Sequence, residues 1–393
     1  MAGYTDYLNL YFKNPRTDGA DTFNVQTMMN DNWDKIDTFA SKAGLPDAGK
    51  GLVYIKCTDS SGNPLSGCAV QIDGAASVSS ADGYVRFSLP SGTYSALVYG
   101  PIDYGMEEKV LSVTAYDGKT SEFSVVINDI SNGAKKIIIT ESCVCAFSKR
   151  VVSADVFGVG AGGSGGAACI SGYNAAAGGA GGKTSTKKSI NVGLLFSVSI
   201  GAGGSPVNAH SNVLPVVREM NGNPGGDTVV DAGGENVLTA NGGEGGKAKA
   251  EKSNSAFRAV SGASGGSGSG GAYCSSSVSV GSSGSNGESG GSASGYEGGS
   301  GQGVTTCSFG EANSYENYSS AGGSAAANSS ETIVGSSGSG AGTGDAKIGS
   351  AAAASSATTP GSGGGAAAAY NGGTATSGAG ADGLVIFRWE VAS

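Results

Sequence analysis

Hydrophobic and polar positions follow three different rhythms along this chain, and the changes of rhythm divide it. Over residues 22–43 apolar side chains recur at helical spacing, with Met29, Trp33, Ile36 and Ala40 at i, i+4, i+7 and i+11. Thr22 stands where an N-cap would, so a short helix is expected from there to about Ala43. Before it, Tyr4 to Phe12 reads as an aromatic-rich strand or extended arm, and Pro15 to Asp21 as a turn. A stripe this narrow must bury against something else: a symmetry mate, a docking surface or the next domain.

Over residues 51–130 the rhythm shortens to that of strands. Val53–Lys56, Ala69–Ile72, Tyr84–Leu89 and Tyr94–Val98 are short apolar segments, and two more follow near 108–113 and 120–127. Turn-rich connectors separate them, Asp59–Leu65 and Pro90-Ser91-Gly92 among them. The spacing predicts a small antiparallel β-sandwich.

From residue 134 the period becomes three. Glycine pairs repeat as GGSGG at 162–166, GGAGG at 178–182 and GGEGG at 242–246, and most of the 72 glycines lie in this zone. Three residues per turn is the repeat of polyproline II, which has no internal hydrogen bonds. Glycine at two positions of three lets such helices approach until their N–H and C=O groups pair. Ordering costs about 1–2 kcal/mol per residue, while a hydrogen bond returns about 0.5–1.5 kcal/mol net. A lone glycine run is therefore a flexible linker, and only a closed bundle orders. Strand-like segments interleave the runs and favour the bundle: Lys135–Thr140, Ala154–Val159, Leu195–Ile200 and Gly383–Trp389. The expected fold is mainly β. It has a short N-terminal helix, a small antiparallel β-sandwich, and then a β framework carrying polyglycine II-type helices.

A net charge of −9 argues against nucleic acid or an anionic membrane as the main partner. No apolar run approaches the ~20 residues of a membrane span, and no basic-then-apolar leader is visible. The seven cysteines are irregularly spaced; Cys143 and Cys145 would share a strand face, and buried free thiols are the plain reading.

Two stretches carry family resemblances before the glycine zone. Leu8–Pro15, Asp21–Val25 and Met29–Asp37 resemble the N-terminal segment of tail-fibre and minor structural proteins of phages of Gram-positive gut bacteria. That resemblance implies a virion-attachment segment over 1–48. The order strand, DxxGxPLxG, strand, DGxxxF and LPxGTY is similar to the carboxypeptidase-regulatory-like (prealbumin-like) sandwich, which implies a spacer over 51–130. A related adhesin sandwich forms a lysine–asparagine bond promoted by a glutamate. Lys56 could supply the lysine, but no acid follows Tyr94 where that family has one, so no isopeptide bond is expected.

The glycine zone carries a third resemblance. Ala154–Gly163, Val198–Gly204 and Ala381–Ile386 resemble the glycine-rich distal domain of phage tail fibres and adhesins, clearly to about residue 250. Beyond it the runs become rich in serine and alanine. In that family a small β framework carries polyglycine II helices and the intervening loops touch the host receptor, here over 134–393.

Catalytic chemistry has little to work with. His210 is the one histidine, in a loop reading as solvated, and no His/Cys/Asp set has metal-ligand spacing. No cofactor and no enzyme activity are expected. Recognition has more: Tyr273, Tyr296, Phe309, Tyr315, Tyr318 and Tyr370 interrupt the small-residue runs. Tyrosine among Ser, Gly and Asn is paratope composition, and an aromatic face suits a sugar. The same rings could equally staple the bundle edges.

The reading is a phage tail fibre or adhesin, made in the host cytoplasm and located in the virion tail. Tyr296, Tyr315, Tyr318 and Tyr370 are the receptor-binding candidates. Met29, Trp33 and Ile36 are the candidates for oligomer or virion contact. Its partners would be tail or baseplate proteins and a host-surface glycan or protein, and it would be a homotrimer. The alternative is a non-binding structural or decoration protein. A bacterial surface adhesin would call for a secretory leader and an anchoring segment.

Overall fold

The computed structural model describes residues 3–4, 11–12, 49–211, 216–252, 260–272, 298–299, 306–311 and 316–391. The helix expected over 22–43, with Met29, Trp33 and Ile36, lies outside them, as do Tyr273, Tyr296 and Tyr315. Among the described residues the fold is almost entirely β. In the N-terminal arm, β1 (Gly3–Tyr4) and β2 (Tyr11–Phe12) pair antiparallel. The chain divides into two compact units, one holding 1–100 and 107–129, the other 101–106 and 130–393.

The first unit contains the expected sandwich. Its strands are β3 (Lys50–Thr58), β4 (Ala69–Ile72), β5 (Ala75–Val78), β6 (Tyr84–Pro90), β7 (Gly92–Tyr99), β8 (Glu108–Ala115) and β9 (Thr120–Val126). Sheets β6-β3-β9 and β5-β4-β7-β8 bury the alternating positions the pattern marks, among them Val53, Ile55, Val85, Phe87 and Val98. One expectation is corrected: β9 pairs with β3 in parallel, Leu52 opposite Thr120, so that sheet is mixed. Alternation reports which face is buried, not strand direction. The Asp59 carboxylate accepts the N–H groups of Ser61 and Asn63, both at 2.9 Å, which fixes the first connector as an Asx turn.

Glu107 gives this unit an acid-sensitive point. It accepts the backbone N–H of Asn128 at 2.6 Å and pairs with Lys109 at 2.8 Å. Burial alone would raise its pKa; the Asn128 N–H, Lys109 and the Asn128 amide outweigh that and hold it at about 2. The unfolded chain takes up this proton near the ordinary value of 4.5. The stabilisation is therefore complete above that value and lost as pH falls towards 2. Urea midpoints of the sandwich transition should drop across this window, and Glu107→Gln should flatten the drop. Superimposable profiles for the variant and the parent would exclude Glu107 as the cause.

The second unit runs back and forth between two sets of sheets. β10 (Lys136–Ile139), β11 (Cys143–Cys145) and β12 (Val151–Val159) begin the framework. The chain then crosses a glycine run to β13 (Ala167–Ile170), turns into β14 (Tyr173–Ala176), and returns through a second run to β15 (Thr184–Lys187). The same journey repeats. β16 (Phe196–Ser199) leads out to β17 (Asn208–His210), and β18 (Glu219–Met220) leads back to β19 (Thr228–Ala232). β20 (Glu235–Ala240) leads out to β21 (Ala248–Glu251). The far side continues with β22 (Ala325–Ala327), β23 (Thr332–Val334), β24 (Asp345–Ile348), β25 (Ala352–Ala353), β26 (Ala367–Tyr370) and β27 (Thr374–Thr376). A final run brings the chain home to β28 (Leu384–Val391).

The framework consists of sheets β10-β28-β12-β15 and β11-β16-β19-β20. Its central strands read as continuous apolar segments because both faces are covered. Val385, Phe387 and Trp389 join Val156, Phe147 and Phe196 in one cluster, while Leu384 and Ile386 join Phe157, Phe309 and Tyr318 in another. The rings of Phe147, Phe196 and Phe387 lie 5.4–6.0 Å apart in edge-on or tilted pairs. Residues 101–106 belong to this unit because Ile102 is fully buried in the first cluster. The Asp103 carboxylate is fully buried too, accepting Ser148 N–H at 2.8 Å and Oγ–H at 2.7 Å and pairing with Arg150.

The far-side sheets are β18-β13-β26-β24, β21-β14-β22-β23 and β17-β27-β25, and their cores are almost all alanine. These strands continue directly from runs packed at backbone contact, so the layers between them hold methyl groups rather than branched side chains.

Candidate functional site

The glycine runs form a hydrogen-bonded lattice. In run 160–166 the N–H groups of Gly160, Gly163 and Gly166 donate to the carbonyls of Lys183, Ala180 and Ala177. Those of Ala161 and Ser164 donate to Gly226 and Asn223, and those of Gly162 and Gly165 to Ala381 and Gly378. Every third residue thus addresses the same neighbour, and all three of these neighbours run the opposite way. The carbonyls of the run accept from Gly204, Gly243, Gly246, Gly364 and Ala367, on three further segments of the same direction. Run 160–166 is enclosed by six others of its own chain. Runs 319–324, 335–344 and 360–366 share the lattice, so order extends well past residue 250.

The spacing explains the glycine pairs. A Cβ at Gly162, Gly163, Gly165 or Gly166 would lie closer than 3.0 Å to a neighbouring carbonyl oxygen, which real Cβ atoms do not do. The third position of each repeat tolerates a side chain. In the enclosed run it is Ala161 and Ser164, both buried; in run 241–247 it is Asn241, Glu244 and Lys247, all exposed.

Beyond the lattice the described turns between far-side strands gather around Asn371-Gly372-Gly373. Ser171 Oγ donates to Asn371 Oδ1 at 3.1 Å, Gly349 N–H to Tyr370 O at 2.8 Å, and Ser211 N–H to Gly373 O at 3.1 Å. Asn371 sits in the left-handed region at φ 53°, a conformation asparagine tolerates better than most residues. Gly372 presses on the Ser350 carbonyl with no room for a Cβ. The central turn is therefore held from three sides.

The two described tyrosine candidates lie at opposite ends of the lattice. Tyr370 ends β26 at this turn, half-buried against the alanine cluster of Ala168, Ala346 and Ala368. Tyr318 lies on the framework, its ring 5.8 Å from that of Phe157 and its hydroxyl donating to Glu316. Burial and the Glu316 carboxylate push its phenol up to about 12. A ring this enclosed is placed to staple the framework, the other role weighed for these residues. Phe309 does the same, under the Arg388 guanidinium at 4.1 Å. His210 ends β17 beside Thr374, half-buried in a strand rather than solvated in a loop.

Other chemistry is internally paired. A cleft of about 390 Å³ on the framework is lined by Lys135, Ser153, Asp155, Arg388 and Glu390. Arg388 Nη2 lies 2.9 Å from Asp155, and its Nη1 meets Glu311. Burial alone would raise Asp155, but the Ser189 N–H and Arg388 outweigh it and hold the carboxyl below its ordinary range. The Cys145 thiol, donating to Cys143 and fully buried, is held well above the ordinary value. The six described cysteines are free, and among the described residues no three His, Cys, Asp or Glu side chains group as metal ligands. No helix there is long and apolar enough to cross a membrane.

No curated protein matches the chain in sequence. Among solved structures, the Bacillus anthracis TIE protein aligns at 10% identity over 52% of this chain and 33% of its own length, with a TM-score of 0.20. The chain thus spans about a third of that protein. A DUF3823 family protein from Bacteroides ovatus aligns at 10% identity over 50% of this chain and 96% of its own, TM-score 0.16. One from Parabacteroides merdae aligns at 12% over 50% and 98%, TM-score 0.17. Likenesses at these scores inform neither fold nor function. The profile of a family described as a glycine-rich domain matches residues 140–390, the stretch from the framework through the lattice to the last strand, and the chain belongs to that family.

Proposed function

We propose that this chain is a phage tail fibre or related receptor-binding adhesin, with runs that are polyglycine II helices and far-side turns that meet a host-surface glycan or protein. What supports the polyglycine II reading is the threefold rotation of hydrogen bonds around run 160–166. What supports receptor binding is one arrangement: turns from separate excursions of the chain are hydrogen-bonded together at the end of the lattice away from the framework. Binding residues commonly sit on loops positioned by a rigid scaffold. In this reading Tyr370 is a binding anchor with Tyr296 and Tyr315, while Tyr318 serves the framework. The prealbumin-like sandwich is the spacer. Residues 1–48 fasten the fibre to tail or baseplate proteins, with Met29, Trp33 and Ile36 in a homotrimer or virion contact.

Immunogold labelling of phage particles with antibody to the full chain should decorate the tail, and the purified chain should block adsorption to host cells. Tail labelling without any effect on adsorption would favour the decoration protein instead. Light scattering should give about three times the 38.1 kDa chain mass, falling when residues 1–45 are removed. A monomer unaffected by that deletion would rule out the trimer.

A further inference from the structure

We infer that the receptor class is a glycan, bound at a subsite made by Tyr370 and Asn371; this rests on the receptor-binding reading above. The central turn leaves hydrogen-bonding groups unused. Asn371 Oδ1 accepts from Ser171 Oγ, and among the described residues nothing engages its Nδ2 donors. The neighbouring Tyr370 has its backbone carbonyl tied to Gly349 but no described partner for its hydroxyl. These two adjacent residues at the end of β26 thus supply a half-buried ring, a phenol and an amide donor, an apolar surface together with directed hydrogen-bonding groups. That is the complement of a sugar, whose C–H face stacks and whose hydroxyls point sideways.

The surroundings favour a polyhydroxylated ligand over a protein. The described turns here are Ser171-Gly172, Asn328–Glu331, Gly349-Ser350-Ala351 and Asn371-Gly372-Gly373. They are mostly Ser, Gly and Asn, side chains that can hydrogen-bond a polyhydroxylated ligand, and the exposed Ile348 opposite Tyr370 on β24 adds an apolar surface. The turn is also preorganised. Its left-handed Asn371, the contact of Gly372 with Ser350 and the bonds from Ser171, Ser211 and Gly349 fix the turn backbone and the amide before any ligand arrives.

The test uses the full chain and intact cells of a panel of Gram-positive gut bacteria, measured by sedimentation of bound protein. The same cells are then measured after mild periodate oxidation, and separately after surface proteolysis. Periodate should abolish binding and proteolysis should spare it. Tyr370→Ala should weaken binding tenfold or more, and Tyr370→Phe, which keeps the ring, by less. Asn371→Gly keeps the left-handed backbone while deleting the amide, and should weaken binding severalfold with unchanged melting. Binding that survives periodate and is lost on proteolysis overturns the glycan and leaves receptor binding standing. Tyr370→Ala and Asn371→Gly binding as tightly as the parent would overturn the subsite. Absence of binding to every strain overturns both readings.

Discussion

Replacing Gly163 with valine should abolish cooperative folding of the second unit. Gly163 does not have a left-handed φ, so glycine is required there for space rather than for backbone conformation. An added Cβ would lie closer than 3.0 Å to the carbonyl oxygen of Glu244, and the run it sits in is enclosed by six neighbours. Overpacking a core by a few atoms costs about 1–3 kcal/mol when side chains can move aside. Here the obstacle is backbone, so the lattice must open and several inter-run hydrogen bonds are lost with it. Gly243→Val meets the Ala180 carbonyl in the same way and should behave alike. Gly193→Ala is the control, because its Cβ would meet nothing nearer than Asn191 Oδ1 at 3.5 Å. A Gly163→Val protein that melts with the parent would mean the runs do not touch as described.

Phe387→Ala should have the next largest effect. Phe387 is fully buried, its ring 5.7 Å from that of Phe147 and 5.4 Å from that of Phe196. Truncating such a ring costs about 3–5 kcal/mol, a large part of the roughly 5–15 kcal/mol that holds a domain folded. For a unit of this size that is a fall in melting temperature of roughly 6–20 °C by calorimetry. β28 continues run 377–383 and β12 continues into run 160–166, so the framework anchors both ends of the central crossings. The loss should therefore appear in the same transition as the lattice. Phe387→Leu should recover much of it. A fall of only a degree or two, or a framework transition separate from that of the glycine runs, would contradict this coupling.

The framework was legible in the sequence because its strands carry large apolar residues. Leu384–Trp389 reads as a continuous run because even and odd positions enter different clusters, a pattern of strands covered on both faces. The alanine-rich strands were not legible. Ala167–Ile170, Ala325–Ala327 and Ala367–Tyr370 have little strand propensity of their own, and only stacking at the end of the lattice buries them. The residue between glycine pairs carried a signal that could have been used. Ala180 and Ser164 mark enclosed runs, whereas Glu244, Lys247 and Asp227 mark outer ones, because only the outside accommodates a charged side chain. Tyrosine content flagged Tyr318 and Tyr370 together but could not say which end each occupied. That depends on whether a run travels outward or back, which the direction of strand pairing decides. The parallel β3–β9 pair escaped the sequence for the same reason.

The central claim is that the glycine runs are an ordered lattice, not linkers between strands. Amide hydrogen exchange on the intact protein tests it most directly, because a linker and a lattice with the same composition differ in every N–H. The amides of Gly162, Gly163, Ser164 and Gly165, each bonded to another run at 2.9–3.1 Å, should exchange as slowly as those of the buried framework strand β28. Exchange of these four amides at the rate of an unfolded chain, while β28 stays protected, would contradict the account.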